Sequence, residues 1–169
     1  EGRKRSEAPP RGAAAASERA RQRKAEQAAK GNKANTDQAV LYPQATRVAP
    51  AQKATPKEGK AANEIQAAYE AKKFADVFAK VDAFAASGST NAYLLSYLYQ
   101  IAAIAANDAG DQTKAADYFK KTVDANGLDN NGHYQSMYNL AILQSQLDRN
   151  QEALTTLDKF MAETKSDKS

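Results

Sequence analysis

Large apolar side chains are concentrated in the last two thirds of this chain, which limits where it can fold. Only four large apolar residues precede Glu58, namely Val40, Leu41, Tyr42 and Val48. A stretch so poor in Ile, Leu, Phe and Tyr cannot bury enough surface to offset the entropy lost when its backbone is ordered. We therefore predict an arm and linker over residues 1–58, a folded domain over residues 59–164, and a polar tail over residues 165–169.

The formal net charge of +4 is distributed unevenly between these parts. Residues 1–58 contain 13 Lys and Arg against 6 Asp and Glu, whereas residues 59–169 contain 11 against 14. The arm is therefore basic and the predicted domain is mildly acidic. We expect the arm to be disordered and of low complexity. We expect a helix at most in part, over residues 13–30, where the residues favour a helix but form no apolar stripe that could pack against the domain.

The chain has no cysteine and a single histidine, and this restricts the chemistry that it can perform. Disulfide bonds, thiolate nucleophiles and cysteine metal sites are excluded. His133 has no second histidine with which to share a metal, and we expect it to be a solvated surface residue next to a helix start. Ser and Thr hydroxyls have no base that would activate them. We predict that the chain is not an enzyme and uses no metal or cofactor.

No apolar run approaches the roughly 20 residues that a helix needs to span a bilayer. The chain starts with Glu1-Gly2-Arg3-Lys4-Arg5 rather than Met, which suits a chain from which a signal peptide has been removed. We therefore expect a periplasmic or secreted bacterial protein, and a cytoplasmic location is the alternative.

Helical periodicity begins after Glu58 and continues to the end of the predicted domain. Apolar residues recur at helical spacing between short polar breaks, and β-type alternation is absent from the sequence. Gly110 is placed to end the third helix, and Asn150 is placed to cap the sixth. The six predicted helices cover residues 58–72, 74–86, 91–108, 113–125, 133–147 and 151–163, with a polar turn at 127–132 before the fifth.

The predicted helices form three pairs, and the second helices share a pattern with a period of 38 residues. Two sets of positions repeat with this period, namely Val77, Ala115 and Ala153, and Val81, Phe119 and Leu157. In the last two pairs a small residue is thus followed by a large one four positions later. This pattern, together with Tyr138-Asn139-Leu140-Ala141 in the preceding helix, resembles the tetratricopeptide-repeat (TPR) family.

The resemblance covers roughly residues 59–164 and is weakest in the first pair. The period of 38 is longer than the usual 34 or so, and the proline that commonly ends a repeat is absent. The resemblance implies an all-α fold of three helix-turn-helix pairs, stacked as a right-handed solenoid. A plain six-helix bundle is the alternative, since all amphipathic hairpins look alike to some degree.

In such a solenoid the first helix of each pair lines a concave face that binds a peptide or protein. The resemblance places six residues on this face: Tyr97, Gln100, Asn107, Gln135, Tyr138 and Asn139. Tyr97 could instead belong to the core, and for Ile104 and Ile142 on the same helices we expect the core. The predicted function is therefore a scaffold or adaptor that binds a protein partner.

The alternative function is binding of an anionic polymer, either nucleic acid or a membrane surface, through the arm. Seven basic residues carry this alternative: Arg3, Lys4, Arg5, Arg19, Arg21, Arg23 and Lys24. No aromatic residue stands among them to stack on bases, and the domain is acidic. Nucleic acid is therefore the less favoured partner. A third possibility is that the chain is a structural part of a longer repeat array.

Overall fold

A computed structural model describes residues 40–165, and within them it contains six α-helices and no β-strand. The all-α class is therefore confirmed for this part of the chain. The seven basic residues assigned to the arm, and residues 166–169 of the tail, lie outside the described residues. The helices are α1 (Pro56–Glu70), α2 (Phe74–Ala86), α3 (Ala92–Asp108), α4 (Gln112–Ala125), α5 (Asn130–Gln146) and α6 (Asn150–Thr164).

The turns within the three pairs repeat the 38-residue period in their backbone. Each contains one residue in the left-handed region, with φ of 58° at Lys72, 81° at Gly110 and 59° at Asp148. The next N–H then donates to the carbonyl five residues earlier, which is the bond that closes a helix end. These bonds join Lys73 to Ala68, Asp111 to Ala106 and Arg149 to Gln144, at 2.9, 2.9 and 2.8 Å. The first pair therefore shares the turn geometry of the other two, although its sequence matches least well.

The first helix begins earlier than predicted because Thr55 caps it. The Thr55 hydroxyl accepts from the N–H of Glu58 at 3.2 Å, and the Glu58 carboxylate accepts from the N–H of Thr55 at 3.0 Å. This reciprocal pair satisfies two backbone donors that the helix itself cannot. The helix consequently starts at Pro56, within the predicted linker.

The fifth helix also begins earlier than predicted. The Asp129 carboxylate accepts from the N–H of Gly132 at 2.7 Å, so that the helix starts at Asn130 rather than His133. Half of the predicted polar turn, residues 130–132, is thus helical. The predicted cap at Asn150 is wrong, because Asn150 is the first residue of α6 and the side chain of Arg149, at the cap position, makes no capping hydrogen bond.

The core lies on α3, which packs against α1, α2 and α4. Four alanines of α3 are fully buried and permit close approach of the neighbouring helices, namely Ala102, Ala103, Ala105 and Ala106. Ala115 on α4 is equally buried. None of the helices among residues 40–165 is both long and apolar enough to cross a bilayer.

Residues 40–55, which we call the strap, contact the helices and the connections between them. The Tyr42 ring packs near α5 and α6, Arg47 binds the connection between α4 and α5, and the Lys53 carbonyl accepts from Asn91 Nδ2 at 2.6 Å. Asn91 caps α3, so the strap passes the ends at which α5, α3 and α1 begin. The division of the chain at residue 58 stays a prediction, but packing against the helices already begins in the strap.

Candidate functional site

A cavity of about 270 Å³ opens between α3 and α5. It brings together two of the six predicted binding residues, Asn107 from α3 and Asn139 from α5. Phe119 of α4 contributes to its wall, because α4 packs against both of the other helices. The lining residues are Ile104, Asn107, Phe119, Asn139, Ile142, Leu143 and Gln146.

The two isoleucines of this cavity are exposed, and the prediction that they belong to the core is wrong. Ile104 has 38% of its surface exposed and Ile142 has 40%. The physical reason is that α3 and α5 both pack against α4 and only loosely against each other. The isoleucines therefore face the gap between these helices, and no other described helix fills it.

In the second pair, Tyr97 and Gln100 make contacts that connect helices. Tyr97 is half-buried, and its hydroxyl donates to the Gln66 side chain of α1 at 3.3 Å. Burial and the nearby Glu70 carboxylate raise the pKa of this tyrosine. Gln100 Nε2 donates to Ser136 Oγ of α5 at 3.5 Å. Tyr97 thus belongs to the contact between α1 and α3, whereas Gln100 connects α3 to α5.

In the third pair, Gln135 and Tyr138 are exposed. Gln135 Nε2 donates to Asn139 Oδ1 at 3.4 Å, so these two amides are neighbours along α5. The ring of Tyr138 lies 5.6 Å from that of Phe160 on α6. Tyr138 therefore leans towards α6 and is not among the residues that line the α3–α5 cavity.

The lining of the α3–α5 cavity is neutral. Its polar groups are the amides of Asn107, Asn139 and Gln146, and the remaining lining residues are apolar. Amides both donate and accept, which suits the alternating N–H and C=O groups of a peptide backbone. No Lys or Arg lines the cavity, so the carboxylate of a peptide terminus would find no cationic partner there.

A larger cavity of about 600 Å³ lies between α1 and α2, and the sequence reasoning did not find it. Its lining includes the apolar residues Ile65 and Phe84 and the charged residues Glu64 and Lys80. The sequence offers only a general signal for this cavity. In the predicted repeat array, α1 and α2 form the first pair, and a pair at the end of an array leaves one side of its helices uncovered.

His133 is buried, with only 4% of its surface exposed, so the prediction of a solvated histidine is wrong. The early start of α5 places it within the helix, where its ring lies 4.9 Å from that of Tyr134. Burial, together with the charges of Arg47 and Lys159, lowers its pKa to about 4. Its Nδ1 has no hydrogen-bond partner among the described residues. Residues 40–165 contain no group of His, Asp and Glu arranged to hold a metal ion.

No protein-family model matches this chain, and no curated protein and no solved structure matches it either. The resemblance to the TPR family therefore rests on the residues of the repeat.

Proposed function

We propose that this protein is an interaction scaffold or adaptor that binds an extended segment of a partner protein between α3 and α5. The observation that carries the proposal is the meeting of Ile104 and Ile142 at one cavity, together with the amides of Asn107 and Asn139. Single exposed apolar residues are ordinary. Two from different helices, next to polar groups that can fix a ligand's orientation, are typical of a binding site.

The stacked arrangement belongs to the proposal as well. Turns with the same backbone geometry recur every 38 residues, and each helix packs against the next along the chain. Both features support a TPR-like array, in which each pair contacts mainly its neighbours. In a right-handed solenoid of this kind, α3 and α5 would line the concave face.

The lining indicates what kind of segment would bind. A cavity of about 270 Å³ is at the lower limit of small-molecule pockets, which begin near ~300 Å³. It suits one or two aliphatic side chains of a longer ligand, with the asparagine amides bonding to the ligand's backbone. A neutral, apolar segment fits best, because burying an unpaired charge there would be unfavourable. We assign no catalytic step to the protein.

Selection of peptides from a random library against the full chain tests this proposal. The affinity of the selected peptides should fall at least tenfold in a chain with Asn139→Ala and Ile142→Ala, because the double substitution removes one amide and one apolar contact. Fluorescence anisotropy measures the affinity, and circular dichroism checks that helicity is retained. Leu154→Ala is the matched control, since Leu154 is an apolar residue of α6 with 57% of its surface exposed.

The selected peptides could instead bind the doubly substituted chain unchanged and no longer bind once residues 1–39 are deleted. That result would contradict binding in the α3–α5 cavity and would favour the basic arm. In that case affinity should also fall steeply as the salt concentration rises, because anionic ligands release counterions on binding. Binding to the neutral α3–α5 cavity should depend only weakly on the salt concentration.

A further inference from the structure

The first part of the strap, residues 40–48, is attached to the helices by few side chains. Within it only Tyr42, Ala45 and Arg47 are half-buried, and the other six residues are exposed. Val48 has 89% of its surface exposed and Leu41 has 57%. The segment therefore lies on the surface as a bound peptide does, with two large anchors and a solvated remainder.

The first anchor is the ring of Tyr42, which sits in an aromatic cleft between α5 and α6. Its centroid lies 5.4 Å from that of Tyr134 and 5.7 Å from that of Phe160, both in edge-to-face geometry. Such pairs are worth roughly 0.5–1.5 kcal/mol beyond the area that they bury. Beneath the cleft, Met137 and Val123 belong to the same buried cluster.

The second anchor is the Arg47 guanidinium, which neutral oxygens hold at the junction of α4 and α5. Its Nε and Nη2 donate to the side-chain and backbone oxygens of Asn126, at 2.7 and 3.0 Å. Its Nη1 donates to Asn130 Oδ1 at 2.9 Å, and Asn130 Nδ2 donates back to the Arg47 carbonyl at 3.0 Å. Asn126 ends α4, where the helix dipole favours a cation.

A third contact fixes the backbone, since the N–H of Leu41 donates to Asn131 Oδ1 at 3.1 Å. None of these contacts requires residues 40–48 to be covalently joined to the helices. An aromatic ring in a cleft, a forked arginine and side-chain bonds to the ligand backbone are the elements of peptide recognition. The segment keeps its place partly because the connection to α1 gives it a high effective concentration.

We propose that this cleft is a binding site for a segment of a partner protein that carries an aromatic residue and, five positions later, an arginine, with a turn between them like that of residues 42–45. Residues 40–48 occupy it as an intrachain ligand that the partner displaces. The site shares no residue with the α3–α5 cavity, so this inference does not depend on the function proposed for that cavity.

The test uses the full chain and a fluorescein-labelled peptide with the sequence of residues 40–48. In a chain with Tyr42→Ala and Arg47→Ala, the intrachain ligand loses both anchors and the cleft becomes accessible. The labelled peptide should bind this variant saturably and at least tenfold more tightly than the wild-type chain. A peptide with alanine in place of its tyrosine and arginine should not bind.

Two further substitutions, each made in the chain with Tyr42→Ala and Arg47→Ala, locate the site. Asn130→Ala should weaken peptide binding at least fivefold, because it removes bonds to both the guanidinium and the backbone of the ligand. Asn139→Ala should leave binding unchanged, since Asn139 lines the other cavity. A negative result for this cleft can therefore be distinguished from a negative result for the α3–α5 cavity.

Three results would overturn the proposal. The first is a double variant that retains its helicity but does not bind the peptide. The second is loss of helicity in the double variant, which would make the segment part of the fold rather than a ligand. The third is a wild-type dimer that Tyr42→Ala dissociates into monomers, which would show that a second copy of this chain supplies the segment.

Discussion

Helices α4 and α6 carry the same pattern 38 residues apart, yet they differ in how deeply they are buried. Ala115 and Phe119 of α4 have at most 5% of their surface exposed. The equivalent Ala153 and Leu157 of α6 are only half-buried, and Thr164 is the single buried residue of that helix. The difference arises because α4 packs between α3 and α5, whereas α5 is the one described helix against which α6 packs closely.

Positions that are equivalent in the 38-residue pattern therefore need not contribute equally to stability. A small residue at a helix crossing contributes to stability only where a neighbouring helix packs directly against it. In the terminal pair, formed by α5 and α6, the outer side of α6 is partly uncovered, and Leu154 has 57% of its surface exposed. The strap covers part of the terminal pair through the contact between Tyr42 and Phe160.

The largest effect is expected at Gly127, in the connection that follows α4. A Cβ atom there would lie 1.9 Å from the Ala92 carbonyl oxygen and 2.5 Å from the Tyr93 nitrogen. Both are backbone atoms at the start of α3, so that the helix or the connection must move. We expect Gly127→Ala to lower the free energy of unfolding by about 3 kcal/mol or more, measured by urea denaturation.

Gly59→Ala is the matched control, because a Cβ atom there meets nothing within 4 Å. Alanine favours a helix over glycine, so the control should be as stable as the wild-type chain or slightly more so. Similar, small effects of both substitutions would show that the α4–α5 connection does not pack tightly against α3.

The second prediction compares the two helices directly. Ala115→Leu should lower the free energy of unfolding by about 1–3 kcal/mol, because the added methyl groups overpack a fully buried crossing. Ala153→Leu should change it by less than about 0.5 kcal/mol, because the half-buried site can accommodate them. Equal losses in the two variants, measured in one urea series, would mean that the terminal pair is as tightly packed as the central one.

The smallest of the three expected effects is the pH dependence of the free energy of unfolding that His133, in the terminal pair, should cause. His133 has a pKa of about 4 in the folded chain and about 6.5 in an unfolded one. As the pH falls below 6.5, the unfolded state takes up a proton that the folded state does not, and stability is lost until about pH 4. Between pH 7 and pH 5 this loss should be about 1–2 kcal/mol.

His133→Leu removes the titrating group and keeps an apolar side chain at a buried position. The difference in the free energy of unfolding between pH 7 and pH 5 should therefore shrink by about the same 1–2 kcal/mol relative to the wild-type chain. An unchanged pH dependence in this variant would show that His133 is not held in its neutral form by burial.

Much of the fold could be predicted from local sequence signals, and the misses have physical causes. Gly110 indicates its turn in the sequence, because glycine readily adopts the left-handed conformation. Lys72 and Asp148 adopt the same conformation although they carry side chains, so the sequence does not indicate their turns. The start of α5 was missed because Asn130, Asn131 and Gly132 are poor helix formers, and the cap at Asp129 outweighs their propensity.

The candidate site was less accessible to sequence reasoning. The sequence predicts Asn107 and Asn139 as binding residues, but it does not show that they meet at one cavity while Tyr138 packs towards α6. The isoleucines were assigned to the core because apolar residues on a central helix usually lie there. Their exposure depends on the gap that α4 leaves between α3 and α5.

The number of helices in residues 40–165, their approximate positions and the period of 38 follow from the sequence, because these depend on periodicity and on hydrogen bonds that span five residues or fewer. Tertiary structure alone decided which apolar faces are covered and where the strap lies. Arg47 bonds to Asn130, which is 83 positions away, and no local pattern marks either residue as a partner of the other. Burial and long-range pairing depend on which distant helix fills the neighbouring space, and that is settled only when the helices pack.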